Sequence, residues 1–94
     1  MPRNTNVTVG TVQVELTASD ATTITIKNCS PSNIYITPTV GQVPPVSTAN
    51  ALELKPDEAF DSVTLAQFFS GVVGANRVYA IADRQDCKVF VSHA

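Results

Sequence analysis

The chain has 94 residues, of which 44% are hydrophobic, and a formal net charge of −2. This length suits one domain, and the hydrophobic fraction is too high for a disordered chain. Six scattered basic residues form no patch that neutralises several phosphates, and no apolar run approaches the roughly 18 residues of a membrane span. We therefore expect neither nucleic acid nor a membrane as a partner, and the polar residues 1–6 predict no secretory signal.

The first half of the chain alternates apolar and polar residues with the period of a β-strand. Residues 11–17 place valine or leucine at every even position, and Val7 and Val9 extend the alternation upstream. Residues 22–27 alternate isoleucine with threonine, which suits a strand with one exposed face. Residues 34–37 are apolar on both faces, which predicts a central strand.

A long connection follows over residues 38–50. It contains two consecutive prolines, which donate no backbone hydrogen bonds, so it is not predicted to be an interior strand. Its length suits either a solvated loop or a binding loop. Beyond it, residues 51–54 and 59–63 are predicted to form a hairpin, and the central Pro56 and Asp57 favour a type I turn.

The last third of the chain contains the one helical signal. Residues 64–70 hold a leucine and two phenylalanines at helical spacing, so we expect at most one or two turns there. Residues 77–82 and 88–92 are predicted as the closing strands. About seven short strands with turns between them predict an all-β fold, an antiparallel β-sandwich or small barrel over residues 11–94, preceded by an N-terminal arm over residues 1–10.

No arrangement of residues predicts an enzyme, a cofactor or a metal site. The single histidine, His93, lies where we expect fraying, and a Ser-His-Asp or Cys-His set is not credible there. Cys29 and Cys87 form no CxxC pair, and we favour buried free thiols over the alternative of one disulfide. The acidic residues around Asp57 suit a solvated turn better than a cation site.

The order of the segments resembles that of a known family. The residues that carry the resemblance are NIYI at 33–36, ALELKPDEAF at 51–60 and VYAIA at 78–82. They follow one another, across roughly residues 11–92, as in the small β-sandwich proteins of tailed-bacteriophage virions. Asp57 departs from that pattern, which has glycine after the proline.

Proteins of that family decorate or cement the capsid, or form small fibres and spikes on it. The resemblance therefore implies a structural role on the capsid surface of a virion assembled in the host cytoplasm, without catalytic residues. It implies the major capsid protein as partner and self-association as a homo-oligomer on the capsid. Two alternatives stay open: another virion component (a head fibre, tail adaptor or receptor-binding domain), or a carbohydrate-binding or adhesion module.

If the protein decorates a capsid, two regions are predicted to contact the capsid or a neighbouring copy. The N-terminal arm can add a strand to a neighbour's sheet edge, and the long connection carries apolar side chains that a solvated loop does not need. The cluster of Leu65, Phe68 and Phe69 is interpreted as core rather than contact. The predicted contact residues are Val7, Val9, Val40, Val43, Pro44, Pro45 and Val46.

Overall fold

The computed structural model describes residues 3–42, 45, 51–69, 71–82 and 86–93, without the side chains of Arg3 and Ala66. Within these residues, eight strands and a single helical turn form an antiparallel β-sandwich, which confirms the predicted fold class. The elements are β1 (Arg3–Val9), β2 (Val14–Glu15), β3 (Thr23–Asn28), β4 (Ile34–Thr39), β5 (Leu52–Leu54), β6 (Ala59–Thr64), α1 (Leu65–Phe68), β7 (Arg77–Ala82) and β8 (Cys87–His93).

The strands form two four-stranded sheets. One has the order β1-β8-β3-β6 and the other β2-β7-β4-β5, and all neighbours are antiparallel. Four of the strand pairs are nested in the order of the chain: β1 pairs with β8, β2 with β7, β3 with β6, and β4 with β5. This nested order is that of a jelly roll, in which a ribbon of strand pairs wraps into two sheets. Most consecutive strands therefore lie in opposite sheets.

The connections between strands collect at the two ends of the sandwich. At one end, which we call the turn end, the Ala82 N–H donates to the carbonyl oxygen of Gly10 at 2.7 Å. At the other, the helix end, the Asn76 N–H donates to Thr39 O at 3.0 Å, and Asn76 O accepts from the Ala21 N–H at 2.9 Å. The turn end holds the β1–β2, β3–β4, β5–β6 and β7–β8 connections, and the helix end holds the other three.

The core lies between the two sheets and consists of the inward-facing alternate residues of the strands. Ile24 and Ile26 of β3 and Ile34 and Ile36 of β4 are at most 1% exposed. The predicted alternation of β3 and the predicted central position of β4 are therefore confirmed. Other fully buried apolar side chains are Val9, Leu16, Leu54, Leu65, Val78, Ala80, Val89 and Val91.

The start of the chain differs from the prediction. The prediction of a continuous strand over residues 11–17 is wrong, because β1 and β2 lie in different sheets and residues 10–13 connect them. Val12, one of the apolar residues of that alternation, lies in this connection and is 73% exposed. The segment predicted as an arm is β1, which pairs along its whole length with β8 of the same chain. Period-two alternation cannot distinguish two short strands in opposite sheets from one long strand.

The prediction that residues 51–54 and 59–63 pair with each other as a hairpin is also wrong. Since β5 pairs with β4 and β6 pairs with β3, the turn at Pro56 and Asp57 carries the chain from one sheet to the other. Asp57 has a φ of 63°, the left-handed conformation that a type II turn requires at its second central residue, so the turn is not type I. Glycine adopts this conformation freely, whereas aspartate does so at a cost of about 1 kcal/mol.

Asn28, at the end of β3, joins two connections at the turn end. Its side chain is fully buried, and Nδ2 donates to Leu54 O at 2.9 Å and to Ser32 O at 2.8 Å. Its Oδ1 accepts from the N–H of Ser30 at 3.1 Å and from the Ser30 hydroxyl at 2.7 Å. A buried amide with its donors and acceptor satisfied fixes the positions of its partners. Asn28 therefore sets where the chain crosses between the sheets.

The last strand and the cysteines depart in part from the predictions. The fraying predicted at His93 is wrong, because β8 includes this residue, its side chain is 5% exposed, and its Nε2 accepts the Ala18 N–H at 2.9 Å. Cys29 and Cys87 are not joined by a disulfide, as favoured, and Cys87 is buried. Cys29 is exposed rather than buried, because it follows the inward-facing Asn28 and alternation turns it outward.

Candidate interaction surface

Exposed apolar side chains are concentrated at the helix end. Of the described residues, five large apolar side chains are exposed, and only Val12 among them lies at the turn end. The other four lie in or beside the β4–β5 and β6–β7 connections, and we call them the apolar rim. Its members and their exposed fractions are Val40 (55%), Leu52 (37%), Phe68 (37%) and Val73 (90%). Clustering of this kind, unlike single exposed apolar residues, is typical of interaction surfaces.

The single turn of α1 places Phe68 at the surface. Leu65 is fully buried and Phe69 packs partly buried against the core, so the predicted core cluster is correct for these two residues. Phe68 is held between two other rings, with its centroid 4.6 Å from that of Phe60 and 4.8 Å from that of Phe69. The tilted and edge-on contacts are favourable aromatic geometries. They hold the exposed ring in a defined position.

A groove of about 480 Å³ lies beside the Phe68 ring. Pro38 and Leu52 contribute to its walls from β4 and β5, and Phe68, Phe69 and Val72 contribute from the β6–β7 connection. A smaller depression of about 310 Å³ also borders Phe68, and its other walls come mainly from the end of β6. Because the larger groove is lined mainly by apolar side chains, it suits an apolar segment of a partner.

Polar contacts hold the first residues after β4 in place. The Gly41 N–H donates to Asn76 Oδ1 at 2.8 Å, and Gln42 Nε2 donates to Glu15 Oε1 at 2.8 Å. Val40 directly precedes these two anchored residues. Its exposed side chain is therefore presented from a fixed part of the connection.

Glu15 of β2 is the centre of a small ion-pair network next to this connection. Its Oε2 lies 2.7 Å from Arg77 Nη1 and accepts the Thr17 hydroxyl at 3.0 Å, while Arg77 Nε donates to Asp20 at 2.8 Å. Burial raises the pKa of Glu15, but hydrogen bonds from Gln42, Arg77 and Thr17, with the charge of Arg77, outweigh it, so the pKa lies below its ordinary value. The carboxylate is charged and fully engaged, which is typical of a structural role.

The predicted contact residues lie in different surroundings. Val9 is fully buried and Val7 packs against the core, so β1 exposes its outer backbone edge rather than these side chains. Val40 is exposed and Pro45 is half-buried, and their contacts stay predictions. Outside the described residues lie Val43, Pro44 and Val46.

Three members of the apolar rim were not predicted as contacts from the sequence: Leu52, Phe68 and Val73. Val73 offered a signal, since it stands in a turn-rich segment between Gly71 and Gly74, where an apolar side chain has no strand or helix to bury it. The sequence gives no such signal for Phe68, because the i, i+3, i+4 spacing does not show that the single turn leaves this ring exposed to solvent.

The described part of the chain contains no group of three or more histidine, cysteine, aspartate or glutamate side chains that could hold a metal ion. Its one helical turn is far too short to cross a membrane. A scan against protein-family models finds no match, and searches of curated proteins and of solved structures find none either. Function is therefore inferred from the surface itself and from the sequence.

Proposed function

We propose that the protein is a structural component of a bacteriophage virion, which binds the outside of the capsid as a decoration or cement protein and stabilises the shell. The observation that carries the proposal is the apolar rim with its groove at the helix end. When a partner covers apolar surface of this kind, water is removed from it and the free energy of the system falls. The segment order that resembles small virion sandwich proteins supplies the partner, the major capsid protein. Jelly rolls include viral capsid domains, although a fold alone assigns no function.

Phe68 is the central contact in this proposal. A phenylalanine side chain carries about 200 Å² of surface, so covering the exposed 37% removes roughly 75 Å² from water and contributes about 2 kcal/mol. A contribution of this size is modest for one copy. On a shell, neighbouring copies are held close together, and a modest contact repeated over a lattice becomes strong attachment.

β5 adds a second element to the same surface. It is the last strand of its sheet, and its first residue, Leu52, lines the groove. Within the described residues, the outer edge of β5 has no strand partner. An extended capsid segment that inserts an apolar side chain into the groove can add a few backbone hydrogen bonds along this short edge, as in strand-addition complexes.

The proposal is tested by co-sedimentation of the purified protein with capsids from the same source. We expect saturable binding at a fixed ratio to capsid subunits, and many copies per particle when the protein is quantified in intact virions by mass spectrometry. The variant Phe68→Ser is expected to weaken binding at least roughly tenfold, since it removes about 2 kcal/mol of apolar contact.

The matched control is Val12→Ser, which removes an exposed apolar side chain at the opposite end of the sandwich. It is expected to bind as the unaltered protein does. Circular dichroism spectra of both variants check that the sandwich is intact. Equal binding by the two variants, no binding by the unaltered protein, or only a few copies per particle contradicts the proposal.

A further inference from the structure

The four edge strands of the sandwich differ in how they are protected. Natural sheets avoid uncontrolled pairing by keeping edge strands short, bulged, charged or covered. In the second sheet, β2 has two residues and β5 has three. In the first, β6 breaks its register with β3, has Ser62 at a φ of 53°, and is contacted by α1. β1 is the exception, since it has seven residues, keeps an unbroken register with β8, and has neither lysine nor proline.

The backbone groups on the free side of β1 can be assigned from the neighbouring ladder. The Cys29 N–H donates to Lys88 O, so the even residues of β8 point their backbone groups toward β3. Because hydrogen-bonding direction alternates along a strand, the odd residues of β8 face β1, and they pair with odd residues of β1. The backbone groups of Asn4, Asn6 and Thr8 therefore face away from the sheet. Within the described residues no strand pairs with them.

We infer that β1 pairs with β1 of a second copy, antiparallel and centred on Asn6, so that two sandwiches share one continuous eight-stranded sheet. This register places Asn6 opposite Asn6 and Asn4 opposite Thr8, which uses the outward-facing backbone groups and forms about six hydrogen bonds. It also aligns all seven residues of β1, whereas a shift by two residues in either direction shortens the overlap.

The side chains of β1 fit a second copy. Between Asn4 and Val9 the strand has no charged residue, so the two-fold axis brings no like charges together. The two Asn6 side chains are exposed and each has a donor and an acceptor, so they can bond to each other reciprocally. Val7, partly buried at the edge of the core, lies opposite Thr5 of the other copy, and both are types that favour strands.

The dimer leaves the apolar rim accessible. β1 and β2 form one lateral side of the sandwich, and β5 and β6, which border the groove, form the other. Pairing through β1 therefore places the two grooves on opposite flanks of the dimer, and because the two β1 strands are antiparallel, the two helix ends point in opposite directions.

The dimer is tested without capsids, by sedimentation equilibrium of the purified chain up to about millimolar concentration, because one strand pair buries less than the roughly 1,200 Å² of a standard interface. We expect a species of twice the chain mass. Asn6→Pro removes the outward-facing N–H while leaving the β1–β8 ladder intact, since proline is tolerated on an edge strand at such a position. Two hydrogen bonds are lost per dimer, and we expect dimerisation to weaken about thirtyfold. Asn6→Ala keeps the N–H and is expected to dimerise.

Cysteine cross-linking tests the register, in a background where the exposed Cys29 is replaced by serine. Asn6→Cys places two sulfurs on facing residues whose Cα atoms lie about 5.5 Å apart, within disulfide range. Thr8→Cys is the matched control on the same face, where the two Cα atoms lie roughly 14 Å apart. We expect a disulfide dimer from Asn6→Cys alone.

A monomer at every concentration, or equal cross-linking by the two cysteine variants, overturns the inference. The failures of the two proposals are distinguishable. A dimer that does not sediment with capsids contradicts only the proposed function, and a monomer that saturates capsids contradicts only the dimer.

Discussion

Replacing Asn28 by alanine tests whether one buried amide holds the turn end together. The change removes four side-chain hydrogen bonds, and Leu54 O and the Ser30 N–H each lose one in a place that water does not readily reach. Each buried polar group left short of a partner costs about 1–3 kcal/mol, so we expect the free energy of unfolding to fall by about 3 kcal/mol. For a domain of this size, that lowers the melting temperature by roughly 15 °C.

The assay is urea unfolding followed by far-ultraviolet circular dichroism, since the chain has no tryptophan. Asn33→Ala is the matched control, because the side chain of Asn33 makes one exposed hydrogen bond to Glu53, at 3.3 Å, and we expect a loss below about 0.5 kcal/mol. Asn28→Asp replaces the donating nitrogen by an oxygen facing two carbonyl oxygens. It is expected to destabilise more at pH 7 than below about pH 4, where the carboxyl gains a proton. Equal losses from the two alanine variants refute the reasoning.

Two further predictions concern backbone strain and charge. Asp57→Gly removes the steric strain of a non-glycine residue at a left-handed φ of 63° and is expected to raise the free energy of unfolding by up to about 1 kcal/mol. Asp61→Gly, in the interior of β6, is expected to lower the free energy of unfolding. The lowered pKa of Glu15 means that its carboxylate contributes stability above its ordinary value of 4.5, and this contribution is lost as the pH falls through the folded-state value. Glu15→Gln is therefore expected to be less stable than the unaltered protein at pH 7, by less than roughly tenfold in the folding equilibrium. The difference is expected to shrink as the pH falls below 4.5, which urea titrations at a series of pH values measure.

The strands could be predicted from the sequence because alternation reports which side chains face the core. Ile24 and Ile26 show it in β3, and the apolar residues of β4 correctly predicted a central strand. Sheet membership could not be predicted in this way. The segments around Pro56 have the local pattern of a hairpin. Only the pairing of β5 with β4 and of β6 with β3 shows that the turn crosses between the sheets, and local sequence does not encode this pairing.

The candidate surface was predictable only in part. Val40 was predicted as a contact because a solvated connection does not need apolar side chains, and its side chain is exposed. Val7 and Val9 were predicted as contacts from an assumed arm, but pairing with β8 turns Val9 into the core. The exposure of Phe68 depends on how one helical turn docks on β6, which is a tertiary property that helical spacing does not encode.

The jelly-roll order explains why stability and binding lie in different parts of this small protein. The four central strands supply inward-facing residues on their alternate positions, so substitutions there act on the core. At the turn end, the connections are short and tied together by buried hydrogen bonds such as those of Asn28, which leaves little surface free to vary. The longer connections at the helix end expose the apolar rim, and the outer edge of β1 has no strand partner within the described residues. A partner can therefore use these two regions without disturbing the fold, which is why substitutions such as Phe68→Ser and Asn6→Pro are expected to change association while leaving the sandwich folded.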